Sequence, residues 1–329
     1  MFKVMPRLLL VVITGVLSTA CDQSAPQITK TKTVYAKSNV EMELVKVSEH
    51  IYYVQGAAGV ATDNEGFISN AGVVITDEGV VVFDALGTPS LAKLLLSKIR
   101  EITNKPVVKV IVSHYHADHI YGLQVFKEQG AEIIAPRAAL DYLASEQASE
   151  RLEERQFSLE PWVNEATYLV TPDKLIAENT SFTLGGLSFQ INLLGAAHSE
   201  GDMTLFVEPD RVLFSGDIIF EGRIPFLGDA NTKIWLQTLH KMETSKLVAL
   251  VPGHGPIAKQ PNKAIQATSE YLAFMRENMG KAARDFVAFA EAYTTIDWSS
   301  YKNMPAFEAA NRRNAYQVFL SMEAEMLSD

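Results

Sequence analysis

The sequence predicts an α/β protein, because β-rich runs alternate with helical patterns and lead into polar loops in both halves of the chain. Residues 73–76 and 80–83 are β-rich, and the Asp-Glu-Gly turn between them is typical of a hairpin. Thr88 and Pro89 then mark the start of a helix, since threonine favours the N-cap and proline the first turn. Residues 107–112 are the next apolar run, which we interpret as a strand.

The second half of the chain repeats this arrangement. Residues 189–193 alternate as in a strand before His198, and residues 203–207 and 211–214 form a second hairpin around an intervening Glu-Pro-Asp turn. Strand pairs therefore precede polar loops in both halves. The remaining predicted elements are a helix over 232–245, a strand over 247–251 and mostly helix after 261.

Length and composition indicate a globular protein. The chain has 329 residues, of which 47% are hydrophobic, so it can bury one large core or two modest ones. Its formal charge of −10 disfavours nucleic acid as a partner. We therefore expect a small-molecule substrate, and the sequence predicts nothing about the oligomeric state.

Residues 1–20 have the pattern of a signal peptide. Lys3 and Arg7 precede the apolar residues 8–17, a segment too short to span a membrane as a helix. Residues 18–21 resemble a bacterial lipobox, in which cleavage exposes Cys21 for lipid attachment. That motif prefers a branched aliphatic residue where this chain has serine. Ordinary cleavage after residue 20 and a retained anchor are the alternatives.

Cys21 is the only cysteine in the chain. The fold therefore contains no internal disulfide, and no cysteine remains to act as a nucleophile or metal ligand. Asp22 resembles the signal that keeps lipoproteins on the inner membrane. We therefore predict an exported lipoprotein on the periplasmic face of that membrane, if the host has two membranes.

Four regions follow from these patterns. We predict a signal peptide over 1–20, a lipid-anchored tether over 21–45, a catalytic domain over 46–260 and a helical extension packed on it over 261–329. Residues 56–70 and 144–179 carry no motif that we recognise, although the identity of the substrate depends on such segments.

Residues 114–119 place four potential metal ligands within six positions, directly after a predicted strand. These are His114, His116, Asp118 and His119. A helix cannot put His114 and His116 on one face, whereas a loop can. Imidazole and carboxylate suit zinc, so the segment predicts half of a binuclear metal site.

Three further side chains complete the set: His198, Asp217 and His254. Alone, His198 in a turn or His254 between glycines is more typical of a surface or capping histidine. Together, these loops resemble those of the metallo-β-lactamase-fold hydrolase superfamily over roughly residues 48–260. The resemblance implies an αββα sandwich with a C-terminal helical extension. It also implies a first metal site of His114, His116 and His198, a second site of Asp118, His119 and His254, and Asp217 as the bridging carboxylate.

Two zinc ions sharing Asp217 would supply the chemistry of a hydrolase. A hydroxide held between the metals would be the nucleophile, because coordination lowers the pKa of water to about 7. Asp118 could serve as a proton acceptor as well as a ligand. Iron or manganese is also compatible with the carboxylate-rich second site.

Three other residues are candidates for supporting roles. Asp84 resembles the family aspartate that supports the histidine loop through hydrogen bonds, or it is a plain carboxylate at a strand end. Tyr115 could contact substrate or pack against the loop. Arg223 could pair with an anionic substrate group or form a surface salt bridge.

A narrower resemblance is carried by three segments, residues 113–122, 220–229 and 251–256. They are similar to the SoxH-type zinc metallohydrolases associated with quinoprotein relay systems, whose substrates are poorly defined. Many lactamases of the superfamily have cysteine where this chain has Asp217, which disfavours a lactam substrate. The predicted function is hydrolysis of a small ester, thioester or related acyl bond. The alternatives are a metallo-β-lactamase, an iron-dependent sulfur or persulfide dioxygenase, and a metal-binding accessory protein without turnover.

Overall fold

Two mixed β-sheets lie face to face, and helices cover both outer faces. The computed structural model describes residues 1–2, 35–228 and 230–328. The first half comprises β1 (Val45–Lys46), β2 (Ile51–Val54), a 3₁₀ turn (Ala61–Asp63), β3 (Ala71–Ile75), β4 (Val80–Phe83), α1 (Pro89–Ile102), β5 (Val107–Ile111), α2 (Ala117–Ile120), α3 (Leu123–Glu128), β6 (Glu132–Pro136), α4 (Ala139–Leu143), α5 (Glu146–Ser158) and β7 (Lys174–Ile176).

The second half begins with the other sheet and ends in helices. It comprises β8 (Thr180–Leu184), β9 (Leu187–Gly195), β10 (Asp202–Val207), β11 (Val212–Phe214), a 3₁₀ turn (Gly216–Ile218), α6 (Thr232–Lys241), β12 (Ala249–Val251), α7 (Pro261–Arg284), α8 (Phe289–Thr295) and α9 (Phe307–Ser328).

The topology brings the loops of both halves to one region. The first sheet has the order β1 to β7, antiparallel up to β4 and parallel from there on, and the second has the order β12-β11-β10-β9-β8. Because β4 and β5 are parallel, Asp84 and His114 follow their strands at the same edge. Strands β11 and β12 are also parallel, so Asp217 and His254 share an edge of the second sheet.

Apolar side chains between the two sheets form the central core. The rings of Phe83 and Phe214 stack across it, with centroids 5.4 Å apart and planes inclined by 24°. Phe214 also lies against Gly72, where an added Cβ would be 2.2 Å from the ring. Glycine is therefore required there, because any side chain would push the sheets apart.

Most predicted elements are confirmed, and the αββα fold class is confirmed with them. Both hairpins form, and the Thr88 hydroxyl caps α1 by accepting a hydrogen bond from the Leu91 amide at 3.1 Å. Helix α6 ends at Lys241, four residues earlier than predicted, and β12 begins at Ala249, two residues later. Strand β6 and helix α5 were not predicted.

The segment just before β1 is docked on the domain. The Tyr35 hydroxyl donates to Glu128 at 2.7 Å, the Ser38 hydroxyl donates to Glu65 at 2.6 Å, and Met42 is buried. Residues 35–44, assigned to the tether from sequence, thus contact the folded part. Residues 3–34, which include most of the predicted signal peptide and Cys21, lie outside the described residues. Among the described helices, none is both long and apolar enough to cross a membrane.

Helices α7, α8 and α9 cover the second sheet together with α6. Their buried side chains share one apolar cluster, in which Tyr271 and Met275 of α7 meet Val318 of α9. Residues 35–329 belong to a single compact unit. The predicted boundary at residue 260 therefore does not divide two compact units. The C-terminal helical extension packs on the rest of the fold.

Candidate metal centre

Three imidazoles converge where β5 and β9 end. The Nδ1 atom of His116 lies 2.9 Å from His114 Nε2 and 3.1 Å from His198 Nε2. His114 and His198 are buried, and His116 is partly exposed. One nitrogen lone pair cannot accept a hydrogen bond from both neighbours in good geometry, whereas three lone pairs can share a cation.

Hydrogen bonds on the far side of the rings fix which nitrogens face the site. The Ser113 hydroxyl donates to Asp84 at 2.8 Å, so it accepts from His114 Nδ1 at 2.9 Å. His119 Nδ1 donates to Asp84 at 2.9 Å, and His254 Nδ1 donates to the Ile68 carbonyl at 2.7 Å. The Nε2 atoms of the three histidines are consequently the ring positions that could bind a metal.

A second group of ligand atoms lies beside the first. Asp118 Oδ2 is 3.2 Å from His254 Nε2 and 3.5 Å from His119 Nε2. Asp118 and His119 belong to α2, which begins directly after His116. Residues 114–119 therefore change from loop to helix after His116. Their ligand side chains consequently belong to two adjoining groups.

Asp217 lies between the two groups. Its Oδ2 atom is 3.3 Å from His198 Nε2 and 3.2 Å from His254 Nε2, and its Oδ1 atom is 3.2 Å from His119 Nε2. Asp217 thus contacts histidines of both groups. It follows β11 in the 3₁₀ turn, and the neighbouring β12 delivers His254.

The donor set fits metal ions. Three overlapping groups have ligand atoms within 4.8 Å of one another: His114, His116 and His198; His114, His119 and Asp217; and Asp118, His119 and His254. Among the described residues, His119 Nε2 and Asp217 Oδ1 are buried without a hydrogen-bond partner. Such buried acceptors are costly unless a cation satisfies them.

The electrostatics of the site favour positive charge at its centre. Burial alone would raise the pKa of Asp217, but His254 and His119 hold it well below its usual range. Burial would lower the pKa of His119, yet the carboxylates of Asp217, Asp118 and Asp84 raise it. Burial lowers the pKa of His198 to about 3. The carboxylates thus attract a cation, while His198 offers a neutral lone pair.

Asp202 fixes the loop that carries His198, although it was not among the residues predicted to form the site. Its carboxylate accepts hydrogen bonds from the amides of Ala197, His198 and Ser199 at 3.1, 2.8 and 3.0 Å. Burial raises the pKa of Asp202 to about 7, against the effect of these donors. The available signal was an aspartate closing a short turn after a histidine, a pattern in which carboxylates bind backbone amides.

The other predicted residues occupy distinct positions. Asp84 accepts from the Ser113 amide and hydroxyl and from His119, so it contacts His119 directly and His114 through Ser113. Tyr115 is buried and its hydroxyl donates to the Val170 carbonyl at 2.9 Å, and a contact with substrate stays a prediction. Arg223 is 2% exposed, so the alternative of a surface salt bridge is wrong. Its role in substrate binding stays a prediction.

A cleft of about 410 Å³ opens over the metal centre. Its floor contains five of the predicted ligands, and its walls come from the loop before β3, from α5 and from α9. The residues that line it include His116, Asp118, His198, Asp217, His254, Val60, Thr62, Tyr142, Arg151, Glu154, Arg155, Phe226, Ala309, Arg313 and Asn314.

The chain matches known proteins over the region that forms this centre. The family model described as the metallo-beta-lactamase superfamily matches residues 64–254. The metallo-beta-lactamase IND-1 of Chryseobacterium indologenes is 24% identical over 215 residues, which cover 64% of this chain and 80% of that protein.

Solved structures show the same fold. A metallo-beta-lactamase from Pontibacter korlensis superposes with a TM-score of 0.57 and 21% identity, covering 71% of this chain and 99% of the other. The sec-alkylsulfatase Pisa1 from Pseudomonas sp. superposes with a TM-score of 0.64 and 17% identity. That match covers 85% of this chain but only 50% of the alkylsulfatase, so the present chain spans about half of that protein's length.

The chain belongs to the metallo-beta-lactamase superfamily, as the resemblance of its histidine loops predicted. The predicted enzyme class, a hydrolase of this superfamily, is confirmed as well. The narrower SoxH-type assignment stays a prediction.

Proposed function

We propose that the protein is a binuclear zinc hydrolase that cleaves a small ester, thioester or related acyl bond. The position of Asp217 carries the proposal, because its two carboxylate oxygens lie 3.2–3.3 Å from histidines of both ligand groups. A carboxylate placed in this way suits two metals held side by side.

Seven side chains would hold the two metals. The first would be bound by His114, His116 and His198, the second by Asp118, His119 and His254, and both by Asp217. When bound, zinc supplies a water of pKa about 7 and polarises an acyl oxygen. Iron or manganese would suit the second group equally, since two of its four ligands are carboxylates.

Asp118 would be the side chain that moves a proton. Its carboxylate is 22% exposed, more than Asp217 at 4%, and it lies on the floor of the cleft. Burial alone would raise the pKa of Asp118, but the neighbouring His119 and His254 together have the larger effect and lower it below its usual range. A low pKa keeps Asp118 deprotonated, and a proton accepted at its exposed edge would be passed on readily.

Metal analysis of the domain lacking residues 1–21 tests the site directly. We expect close to two zinc ions per chain, and fewer in both Asp217→Ala and His116→Ala. His240→Ala is the matched control, because His240 is exposed on α6 and belongs to none of the candidate ligand groups. Two metals per chain in both site variants would show that the assignment is wrong.

A panel of acyl esters and thioesters tests the reaction. We expect zinc-dependent turnover that falls at least a hundredfold in His116→Ala. A chromogenic β-lactam belongs in the panel, because relatives are named as beta-lactamases. Strong lactam turnover without ester turnover would replace the proposal. Iron as the bound metal with oxygen uptake on a persulfide would favour a dioxygenase, and no turnover of any substrate by the two-metal protein would favour an accessory role.

A sulfate ester is a second candidate substrate. One observation favours it: the alkylsulfatase Pisa1 aligns with 85% of this chain, whereas the Pontibacter metallo-beta-lactamase aligns with 71%. Release of inorganic sulfate from primary and secondary alkyl sulfates would support this candidate. A rate equal to that of the metal-free protein would exclude it.

We also propose export and lipid attachment at Cys21, on the basis of the basic, apolar and lipobox-like residues 1–21. Metabolic labelling with a fatty acid should mark the full-length chain in bacterial membranes and not Cys21→Ser. Release of unlabelled protein in both forms would favour ordinary signal cleavage.

A further inference from the structure

Three arginines line the cleft above the metal centre: Arg151 and Arg155 from α5, and Arg313 from α9. The same cleft is lined by three carboxylates, those of Asp118 and Asp217 in the candidate metal centre and that of Glu154 beside the arginines of α5. Glu154 is shared by its two neighbours, at 3.0 Å from Arg151 and 3.6 Å from Arg155. The α5 wall therefore retains one excess positive charge.

Arg313 adds a cation from the opposite wall. Its side chain is exposed, and it forms no ion pair within 4 Å among the residues that the structure describes. The next residue, Asn314, is buried and fixes this part of α9. It accepts from the Leu227 amide at 3.0 Å and donates to the Pro225 carbonyl at 2.7 Å. The hydrogen bonds of Asn314 thus fix the backbone position from which Arg313 reaches the cleft.

The adjacent Arg312 has a different environment. Its guanidinium lies over the rings of Phe289 and Tyr293, 5.5 and 5.1 Å from their centroids. It does not line the cleft. Two consecutive arginines therefore have separate roles, and Arg312 provides a matched control for Arg313.

Arg223 contributes further positive charge from inside the wall. It is buried, and within the described part of the chain its Nη1 and Nη2 atoms have no hydrogen-bond partner. Its guanidinium lies 4.8 Å from the ring centroid of Phe226, which lines the cleft. The Nε atom of Arg223 donates to the Ile224 carbonyl at 3.3 Å. A buried guanidinium with two open nitrogens stabilises negative charge nearby, because little solvent screens it.

We propose that the cleft selects substrates carrying an anionic group, such as a carboxylate, at a distance from the scissile bond, and that Arg313 pairs with this group. Guanidinium geometry matches a carboxylate or another oxyanion. The inference deepens the proposed acyl hydrolysis, on which it rests for the choice of reporter substrates. It also assigns part of the substrate site to the C-terminal helical extension.

Two esters that differ by one charge test the selectivity. Mono-p-nitrophenyl glutarate is anionic, and its methyl ester is the neutral analogue with the same reacting bond. We expect the two-metal enzyme to favour the anionic ester at least tenfold in kcat/KM. Arg313→Ala should remove most of this preference through a higher KM, while the neutral ester changes less than twofold. Arg313→Lys should restore part of the preference, and Arg312→Ala should keep it.

Calorimetry with non-hydrolysable ligands separates this inference from the proposed reaction. Glutarate has two carboxylates and pentanoate, a chain of the same length, has one, which would bind at the metals; Arg313→Ala should therefore weaken glutarate binding about tenfold and leave pentanoate binding nearly unchanged. If this holds but no ester is hydrolysed, the anion site stands and the proposed reaction fails. If esters are hydrolysed but Arg313→Ala alters neither selectivity nor glutarate binding, the anion site is overturned.

Discussion

The Cα atom of Gly253 faces the carboxylate of Asp217 so closely that an added Cβ would lie 2.0 Å from Asp217 Oδ1. The same Cβ would be 2.7 Å from the Gly216 backbone, and the Gly253 amide donates to the Gly216 carbonyl at 2.8 Å. Glycine before His254 is therefore required by the approach of β12 to the turn after β11. The position of the shared carboxylate depends on a residue that binds no metal.

Gly253→Ala should displace Asp217 and weaken metal binding. We expect less than two zinc ions per chain after dialysis and at least a tenfold lower kcat/KM, because a 2.0 Å contact forces the carboxylate or the backbone to move. Gly130→Ala is the control, since a Cβ there meets no atom within 4 Å. It carries backbone strain at φ 88° but should keep both metals. Full metal content in Gly253→Ala would contradict this account.

Asp84→Asn should lower metal affinity without removing a ligand. Asp84 accepts three hydrogen bonds, two from Ser113 and one from His119, and an amide cannot accept all of them. We expect a 10- to 100-fold weaker apparent affinity in a zinc competition titration. Asp77→Asn, in an exposed turn, should leave the titration unchanged. An equal affinity in the two variants would show that Asp84 is a plain strand-end carboxylate.

The ligand loops were predictable because their signals are local. Residues 114–119 come directly after their strand in the sequence, and the order of the strands within each hairpin follows from short turns. His114 and His116 were correctly excluded from a common helix, although α2 begins at Ala117, one residue after His116. What local pattern does not provide is the convergence of Asp217 and His254, which depends on the parallel pairing of β11 with β12.

The walls of the cleft were not predictable for the same physical reason. Helix α5 buries little more than Ala148, so it has no strong apolar stripe to mark it in the sequence. Arg312 and Arg313 are chemically identical, and only the packing of α9 against α8 directs one to aromatic rings and leaves the other at the cleft. Asp202 acts on backbone amides, so its only trace in the sequence is the short turn that it closes after His198.

Glu325→Gln should destabilise the attachment of α9 in a pH-dependent manner. Arg276 of α7 donates two hydrogen bonds to Glu325, at 2.9 and 2.8 Å, and these lower the pKa of Glu325 although burial opposes them. A lowered carboxyl pKa adds stability above the unfolded value of about 4.3, and this stability is lost as the pH falls through the folded pKa. Because the pair is partly exposed, we expect at most about 1 kcal/mol at pH 7.

Urea denaturation of the metal-free domain checks this at two pH values. The unfolding free energy of Glu325→Gln should be lower than that of the unmodified domain at pH 7 and nearly equal to it at about pH 3. Glu323→Gln, on an exposed position of the same helix, should show no such convergence. A difference that is constant with pH would indicate lost packing and not a lost charge pair.

Asn314→Ala should both destabilise the protein and disturb the cleft. Asn314 is 2% exposed and bonds to the Leu227 amide, the Pro225 carbonyl and the Tyr271 hydroxyl. Truncation leaves these buried groups unpaired at about 1–3 kcal/mol each, so we expect a loss of about 2–4 kcal/mol in denaturant unfolding. Phe226 lies between the two backbone groups that Asn314 holds, so KM should rise more than kcat falls.

Asn278→Ala removes one partly buried hydrogen bond within α7 and should cost less than about 1 kcal/mol with no change in KM. Equal effects of the two substitutions would show that α9 is an outer cover and not a wall of the substrate site.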